Sequence, residues 1–242
     1  MKSSMKLRTV LWVISLVFVI FTSCKKDENS AIEGVSEEEA VEVVQNTMSS
    51  ESGGLSEQIE TSTAIVAAYS TSRNDICGLS FDTAIILTNT LGSQISYQYN
   101  FSWDWVINCN QWQIPESVAF SYNMNGWYNG PNMSAQDSAN QSFQLSGLEL
   151  SQDYLTYNGS YQREGLYQSK IGSQRSFMSK ITIETINVKV NKTSYKIESG
   201  TANITVFIET SDGKTFSFDG TITFNGNDIA TLAFEDEYAI EL

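Results

Sequence analysis

The 242-residue chain reads as mainly β: a large twisted antiparallel sheet or open half-barrel, with two N-terminal amphipathic helices packed against it. Three observations predict this. From residue 79 onward apolar residues recur with a period of two, the signature of half-buried strands. Before that point, between residues 36 and 70, the spacing is helical. The alternating runs are also long, and long strands build large, twisted sheets.

The first helix opens at Ser36-Glu37-Glu38-Glu39, a capping box in which the Ser and the third Glu satisfy each other's backbone donors. Its acids face the positive end of the helix dipole. Ala40, Val41, Val44 and Met48 follow at helical spacing, and the Ser49–Gly54 run ends the helix on its glycine pair. A second helix is predicted from Leu55 to Tyr69, with Leu55, Ile59, Val66 and Tyr69 on one stripe.

The clearest strand is Ile95, Tyr97, Tyr99, Phe101, Trp103, Trp105, Ile107 and Cys109, alternating with mostly polar partners. Val118, Phe120, Tyr122 and Met124 repeat the pattern, and Asn125-Gly126 and Asn129-Gly130 read as turns. Further strands are expected at 141–150, 153–163, 179–190 and 193–198. Ile181 and Ile183 are out of phase with Ile186, Val188 and Val190, which places a bulge near Glu184-Thr185.

In the C-terminal meander, Ala202, Ile204, Val206 and Ile208 form one apolar row and Phe216, Phe218, Ile222 and Phe224 another, with Gly220 filling the gap. A two-residue turn at Asp212-Gly213 would put these rows on opposite faces. A three-residue loop, Ser211-Asp212-Gly213 with a left-handed Gly, pairs Ile208 with Phe216 and Val206 with Phe218. The even parity continues through Leu232, Phe234, Tyr238, Ile240 and Leu242. An Asn225-centred loop of three or five residues and a last turn at Glu235-Asp236-Glu237 preserve it.

The N-terminus is an address. Lys2, Lys6 and Arg8 precede an apolar core, Val10–Phe21, and Phe21-Thr22-Ser23-Cys24 closes it on small residues. This is the signal-peptide pattern. At 1.5 Å per residue the core reaches only about 18 Å, short of the roughly 30 Å hydrocarbon layer. The closing residues resemble the lipobox of bacterial lipoproteins, with Phe21 in place of the usual Leu. The resemblance implies cleavage before Cys24 and its diacylation, an anchor that two or three chains make stable. Lys25-Lys26-Asp27-Glu28 resembles the export tag of surface lipoproteins in Bacteroidota-type bacteria. The expected organisation is a signal peptide over 1–23, a lipidated Cys24 and tether over 24–35, a helical hairpin over 36–70 and an antiparallel β domain over 71–242. The globular part is similar to uncharacterised lipoproteins of that group, a diffuse resemblance that supplies no functional residue. The expected location is the outer membrane, with the cell surface favoured over the periplasmic face.

Composition narrows the functions. The signal peptide holds three of the 14 basic residues and no acid, so the mature chain keeps 11 against 28 acids, a net charge of −17. Such a charge repels nucleic acid. Histidine is absent, which removes Ser-His-Asp catalysis and His-based zinc. With Cys24 lipidated, Cys77 and Cys109 read most simply as one disulfide of an exported protein. A two-Cys metal site with carboxylates is the alternative, but the spacing matches no metal signature.

The sequence has no phosphate loop, nucleophile elbow or HExxH. Asp104, Glu116, Asp153 and Glu164 are nominal partners for carboxylate catalysis of the glycosidase kind, but nothing in their spacing makes two of them converge. No cofactor is implied. Asn225-Gly226-Asn227-Asp228 only faintly resembles a calcium loop, and turn chemistry explains it better. Among aromatics, Trp103, Trp105, Trp112 and Trp127 are the candidates for stacking a ligand. The plainer reading of the Tyr97–Trp105 row is an apolar inner face. Trp127 and Phe207 break the local parity and Trp112 sits in a loop between strands, which makes them the better candidates for an exposed binding spot, although cover by the helices or edge packing is the favoured reading there. The sequence thus predicts a non-catalytic binding protein of the cell envelope, with glycan as its first ligand class. An apolar-ligand carrier with a cavity in a curved sheet and a structural or assembly component are the alternatives. Protein partners are not specified.

Overall fold

The computed structural model describes residues 34–70, 77–88, 94–172 and 174–242. Helix α1 spans Glu37–Met48, a 3-10 turn follows at Ser50–Ser52, and α2 spans Leu55–Ser70. Ten strands follow: β1 (Ser80–Thr88), β2 (Ser96–Cys109), β3 (Pro115–Asn129), β4 (Met133–Ser146), β5 (Tyr154–Ser169), β6 (Ser176–Asn191), β7 (Ile197–Thr210), β8 (Thr215–Gly226), β9 (Ile229–Ala233) and β10 (Glu237–Glu241). They form one antiparallel sheet in sequence order. Each strand pairs with the next, so the topology is a plain meander.

The capping box of α1 forms as the sequence predicts. Glu39 N–H donates to Ser36 Oγ and the Ser36 N–H to Glu39 Oε2, each at 3.3 Å. Arg175 lies 3.6 Å from the same carboxylate and ties the helix start to β6's entry. Helix α2 does not divide into an apolar and a wet stripe, because Ser56, Gln58, Ser62 and Thr63 are buried along with Leu55, Ile59 and Val66. Its polar side has partners inside. Ser62 and Thr63 hydroxyls bond the Tyr157 hydroxyl at 2.9 and 2.7 Å. Trp103 donates its indole N–H to Gln58 Oε1 at 3.2 Å.

The sheet curls around the helices. Neighbouring residues of α1 reach distant strands: Gln45 bonds the backbone of Glu241 on β10, while the Asn46 carbonyl accepts from Arg163 on β5. In a flat sheet β5 and β10 would lie about 24 Å apart, twice the width of a helix. Only a curved sheet brings both within one helical turn. The inner face then holds the alternating apolar set, from Tyr97–Ile107 on β2 to Ile240 on β10.

The strands are longer than the sequence suggests. Asn125-Gly126 is not a turn, because β3 runs through it to Asn129. Gly126 instead seats a ring: a Cβ there would lie 2.1 Å from the Gln98 carbonyl oxygen and 2.5 Å from Tyr99 Cδ1. Such close approach is the other use of glycine in a strand. The turn lies at Gly130, whose N–H bonds Met133 O. Residues 192–194 form a turn, so the expected strand at 193–198 survives only in its last two residues, which join the 202–208 row in one strand, β7. A register shift in β6 accompanies it: against β5, Ile186 and Asn187 are unmatched between Thr185 and Val188, and against β7 the register shifts between Ile186 and Lys189. Asn187 takes a left-handed φ of 51°, so the bulge falls two residues beyond the predicted place.

The C-terminal register is as predicted. Ile208 pairs with Phe216 and Val206 with Phe218, closed by Gly213 at φ 80°. The next turn keeps parity by another route. Asn227 and Asp228 form a two-residue left-handed tip, and a register shift between Phe224 and Gly226 restores the phase. The last turn is one residue earlier than predicted, since Ala233 pairs with Glu237.

Candidate functional site

Alternate residues of the same strands build two different faces. Inside, β4 presents Met133, Ala135, Asp137, Ala139 and Gln141 in turn. Asp137 is flanked by Gly126 on β3 and Gly165 on β5, and the small neighbours leave room for a large polar side chain. Arg163 of β5 fills it and is wholly buried. Its Nε donates to Asp137 Oδ2 at 2.8 Å, one terminal nitrogen to the Asn46 carbonyl at 3.3 Å and the other to the Tyr99 hydroxyl. The guanidinium also lies 5.3 and 5.6 Å from the Tyr99 and Tyr128 ring centroids. Tyr167 donates to Asp137 Oδ2 at 3.3 Å.

Helix α1 has no basic residue in its last turn, so Arg163 supplies the cation its C-terminal dipole favours. Burial alone would lower the pKa of this guanidinium, but Asp137 and the surrounding phenols raise it well above its ordinary value. Burial raises the pKa of Tyr99, Tyr122, Tyr128, Tyr161 and Tyr167 in turn. The centre is thus a fixed cation with committed donors among neutral phenols, which clamps α1 onto β4 and β5. Sequence reasoning missed it. The one available signal was a charged pair, Asp137 and Arg163, at inward positions of alternating strands.

The outer face is of another kind. From Ala119 onward the outward positions on β3 are Ala119, Ser121, Asn123, Asn125, Trp127 and Asn129, and on β4 they are Ser134, Gln136, Ser138, Asn140, Ser142, Gln144 and Ser146. None is charged, on a chain of net charge −14. Trp127 stands in this field with 43% of its surface exposed, directly between Gln98 of β2 and Gln136 of β4. Asn100 and Asn125 bond amide to amide at 3.3 Å beside it. The surface offers paired donors and acceptors around one aromatic plate.

The four tryptophan candidates do not form one platform. Trp103 and Trp105 are buried on the inner face, where Trp103 stacks on Phe101 at 6.0 Å and Trp105 on Phe81 at 4.4 Å. The whole Tyr97–Trp105 row is packed interior. Trp112 is exposed in the β2–β3 turn, where Asn110 Oδ1 accepts from its backbone N–H and from that of Ile114. Trp127 and Phe207 point outward as their parity predicts, away from the helices, so helix cover does not apply to them.

Cys77 and Cys109 form the predicted disulfide, tying the start of β1 to the end of β2. Cys24 lies outside the described residues. The four nominal carboxylates scatter. Asp104 and Glu164 both point outward, but three strands, about 14 Å, separate them, beyond the 5–9.5 Å window of paired glycosidase acids. Asp228 at the β8–β9 tip is engaged by Lys196 at 3.2 Å, which also holds Glu60 at 3.1 Å.

No protein-family model, curated protein or solved structure matches the chain.

Proposed function

We propose that this chain is a non-catalytic glycan-binding lipoprotein, held at the outer membrane by acyl chains on Cys24 and facing outward. The observation that carries the reading is the exposed Trp127 ring among uncharged outward neighbours, Gln98 and Asn100 on β2, Asn123 and Asn125 on β3 and Gln136 and Asn140 on β4, with the outward Asp104 of β2 six residues along the strand from Gln98. Each amide side chain presents both a donor and an acceptor, which suits a sugar hydroxyl, itself both. The apolar C–H face of a pyranose stacks on an aromatic plate as other apolar groups do. The lack of charge favours a neutral glycan over an anionic one, which the acidic chain would repel.

The anchor reading rests on the apolar core of residues 10–21 and on Ser23-Cys24. A glycan array probed with the full chain and with Trp127→Ala tests the binding reading. The expected result is a set of neutral glycans bound by the parent and lost by the variant. An array on which the parent binds nothing overturns it.

A further inference from the structure

We infer that the ligand, on the glycan reading above, is a linear neutral polysaccharide lying across the strands, in contact with Trp127, Leu166, Met178 and Phe207. β3–β7 expose six large apolar side chains, and four of them, Trp127, Leu166, Met178 and Phe207, lie together at one end of the outer face, apart from Tyr154 and Ile186. The register arranges them. Trp127 faces Gln136, Gln136 faces Leu166, and Leu166 faces Met178. These side chains therefore lie in one row along the hydrogen-bonding direction. Phe207 opposes Lys180, in the adjoining row beside Met178.

The row continues the field around Trp127 and runs perpendicular to the strands. Trp127 on β3 and Leu166 on β5 are two strands apart, and Phe207 lies two strands further on β7 and two residues along it, a step of about 10–12 Å each time. That step is close to the length of a disaccharide unit in an extended chain, so every second ring of one polymer can meet an apolar plate. A shallow depression follows the row's far half, lined by Gln136, Ser138, Glu164, Leu166, Lys180 and Phe207. Its polar members supply hydrogen bonds to ring hydroxyls. The register sets Glu164 opposite Lys180, so these two charges offset each other, while Glu209 faces Met178 at the row's end and leaves one acid there.

A single sugar at Trp127 needs only the β2–β4 field, whereas a polymer in the row also needs β5–β7. Length dependence separates the two. The full chain is tested by affinity electrophoresis in soluble β-1,4-glucan, β-1,4-xylan and α-1,4-glucan. The disaccharide and hexasaccharide of the retained polymer then serve as competitors. Three variants are compared, Trp127→Ala, Leu166→Ala and Phe207→Ala, with circular dichroism confirming that each is folded.

The hexasaccharide is expected to compete at least ten-fold better than the disaccharide. Trp127→Ala weakens both, while Leu166→Ala and Phe207→Ala each weaken the hexasaccharide by roughly three- to ten-fold and leave the disaccharide unchanged. Equal competition by both lengths, or unaltered hexasaccharide binding in both Leu166→Ala and Phe207→Ala, overturns the row and leaves the Trp127 reading standing. Retention by none of the three polymers overturns the row, and an empty glycan array then removes the broader reading as well. Sedimentation of the same samples covers the rival occupant. A dimer that Phe207→Ala converts to monomer, with glycan binding unaltered, assigns the row to a second copy of the chain and overturns the proposal.

Discussion

The inner and outer faces of β3 and β4 are written in alternate letters of the same stretch, yet they do opposite work. Inward, Tyr122, Met124 and Tyr128 meet Asp137 and Gln141 around a buried Arg163. Outward, the same strands carry Asn123, Asn125, Trp127, Gln136 and Asn140. The inner face spends its polar groups on one another and on α1, so changing it changes stability. The outer face leaves its polar groups to solvent, so changing it alters what the protein can meet and little else.

Alkaline pH should separate the faces most strongly. In the unfolded chain tyrosines ionise near pH 10, whereas burial raises the pKa of Tyr99, Tyr122, Tyr128, Tyr161 and Tyr167 in the fold. Above that value the unfolded chain binds fewer protons than the folded one, so stability is full below about pH 10 and falls as pH rises past it. Each such group costs up to about 1.4 kcal/mol per pH unit. Five together rival the 5–15 kcal/mol of an ordinary domain. The phenolate absorbance of these five buried tyrosines should therefore appear in one cooperative step coincident with unfolding. A gradual rise without unfolding would show the inner phenols to be open to solvent.

Breaking the interior pair comes next. Asp137→Ala leaves the Arg163 charge uncompensated and should lower stability by about 3–5 kcal/mol. The double variant Asp137→Leu/Arg163→Met should recover much of the loss, with guanidinium unfolding as the check. Removing the Cys77–Cys109 link, 32 residues apart, follows, with a loss of about 2–3.7 kcal/mol, the upper figure being the chain-entropy ceiling. Urea unfolding of the double serine variant measures it. Glycan binding by the folded fraction should be unchanged, since the disulfide joins β1 to β2 away from Trp127.

Much of this was legible in the sequence where local pattern and register agree. The Tyr97–Cys109 alternation, the Ser36–Glu39 box and the Ile208–Phe216 pairing each follow from a period or a cap that no distant residue overrides. What was not legible depended on partners far along the chain. Gly126 looks like a turn residue until the Tyr99 ring is placed over it. The polar side of α2 looks solvent-facing until Tyr157 and Trp103 reach it. Arg163 in a strand looks like an outward charge until the parity of Tyr161 and Tyr167 is carried through it. The exposed tryptophan was legible, since Trp127 breaks phase with Phe120, Tyr122 and Met124. Its neutral field was not, because it joins outward residues of three strands.

The division between the faces is tested most directly by measuring glycan affinity and unfolding midpoint together on Trp127→Ala. The exposed ring contributes little to the core, and surface substitutions usually stay within about 0.5 kcal/mol. The account predicts at least a ten-fold loss of affinity, about 1.4 kcal/mol, with the midpoint unmoved. Parent-like affinity, or an early midpoint that accounts for the lost binding, would contradict it.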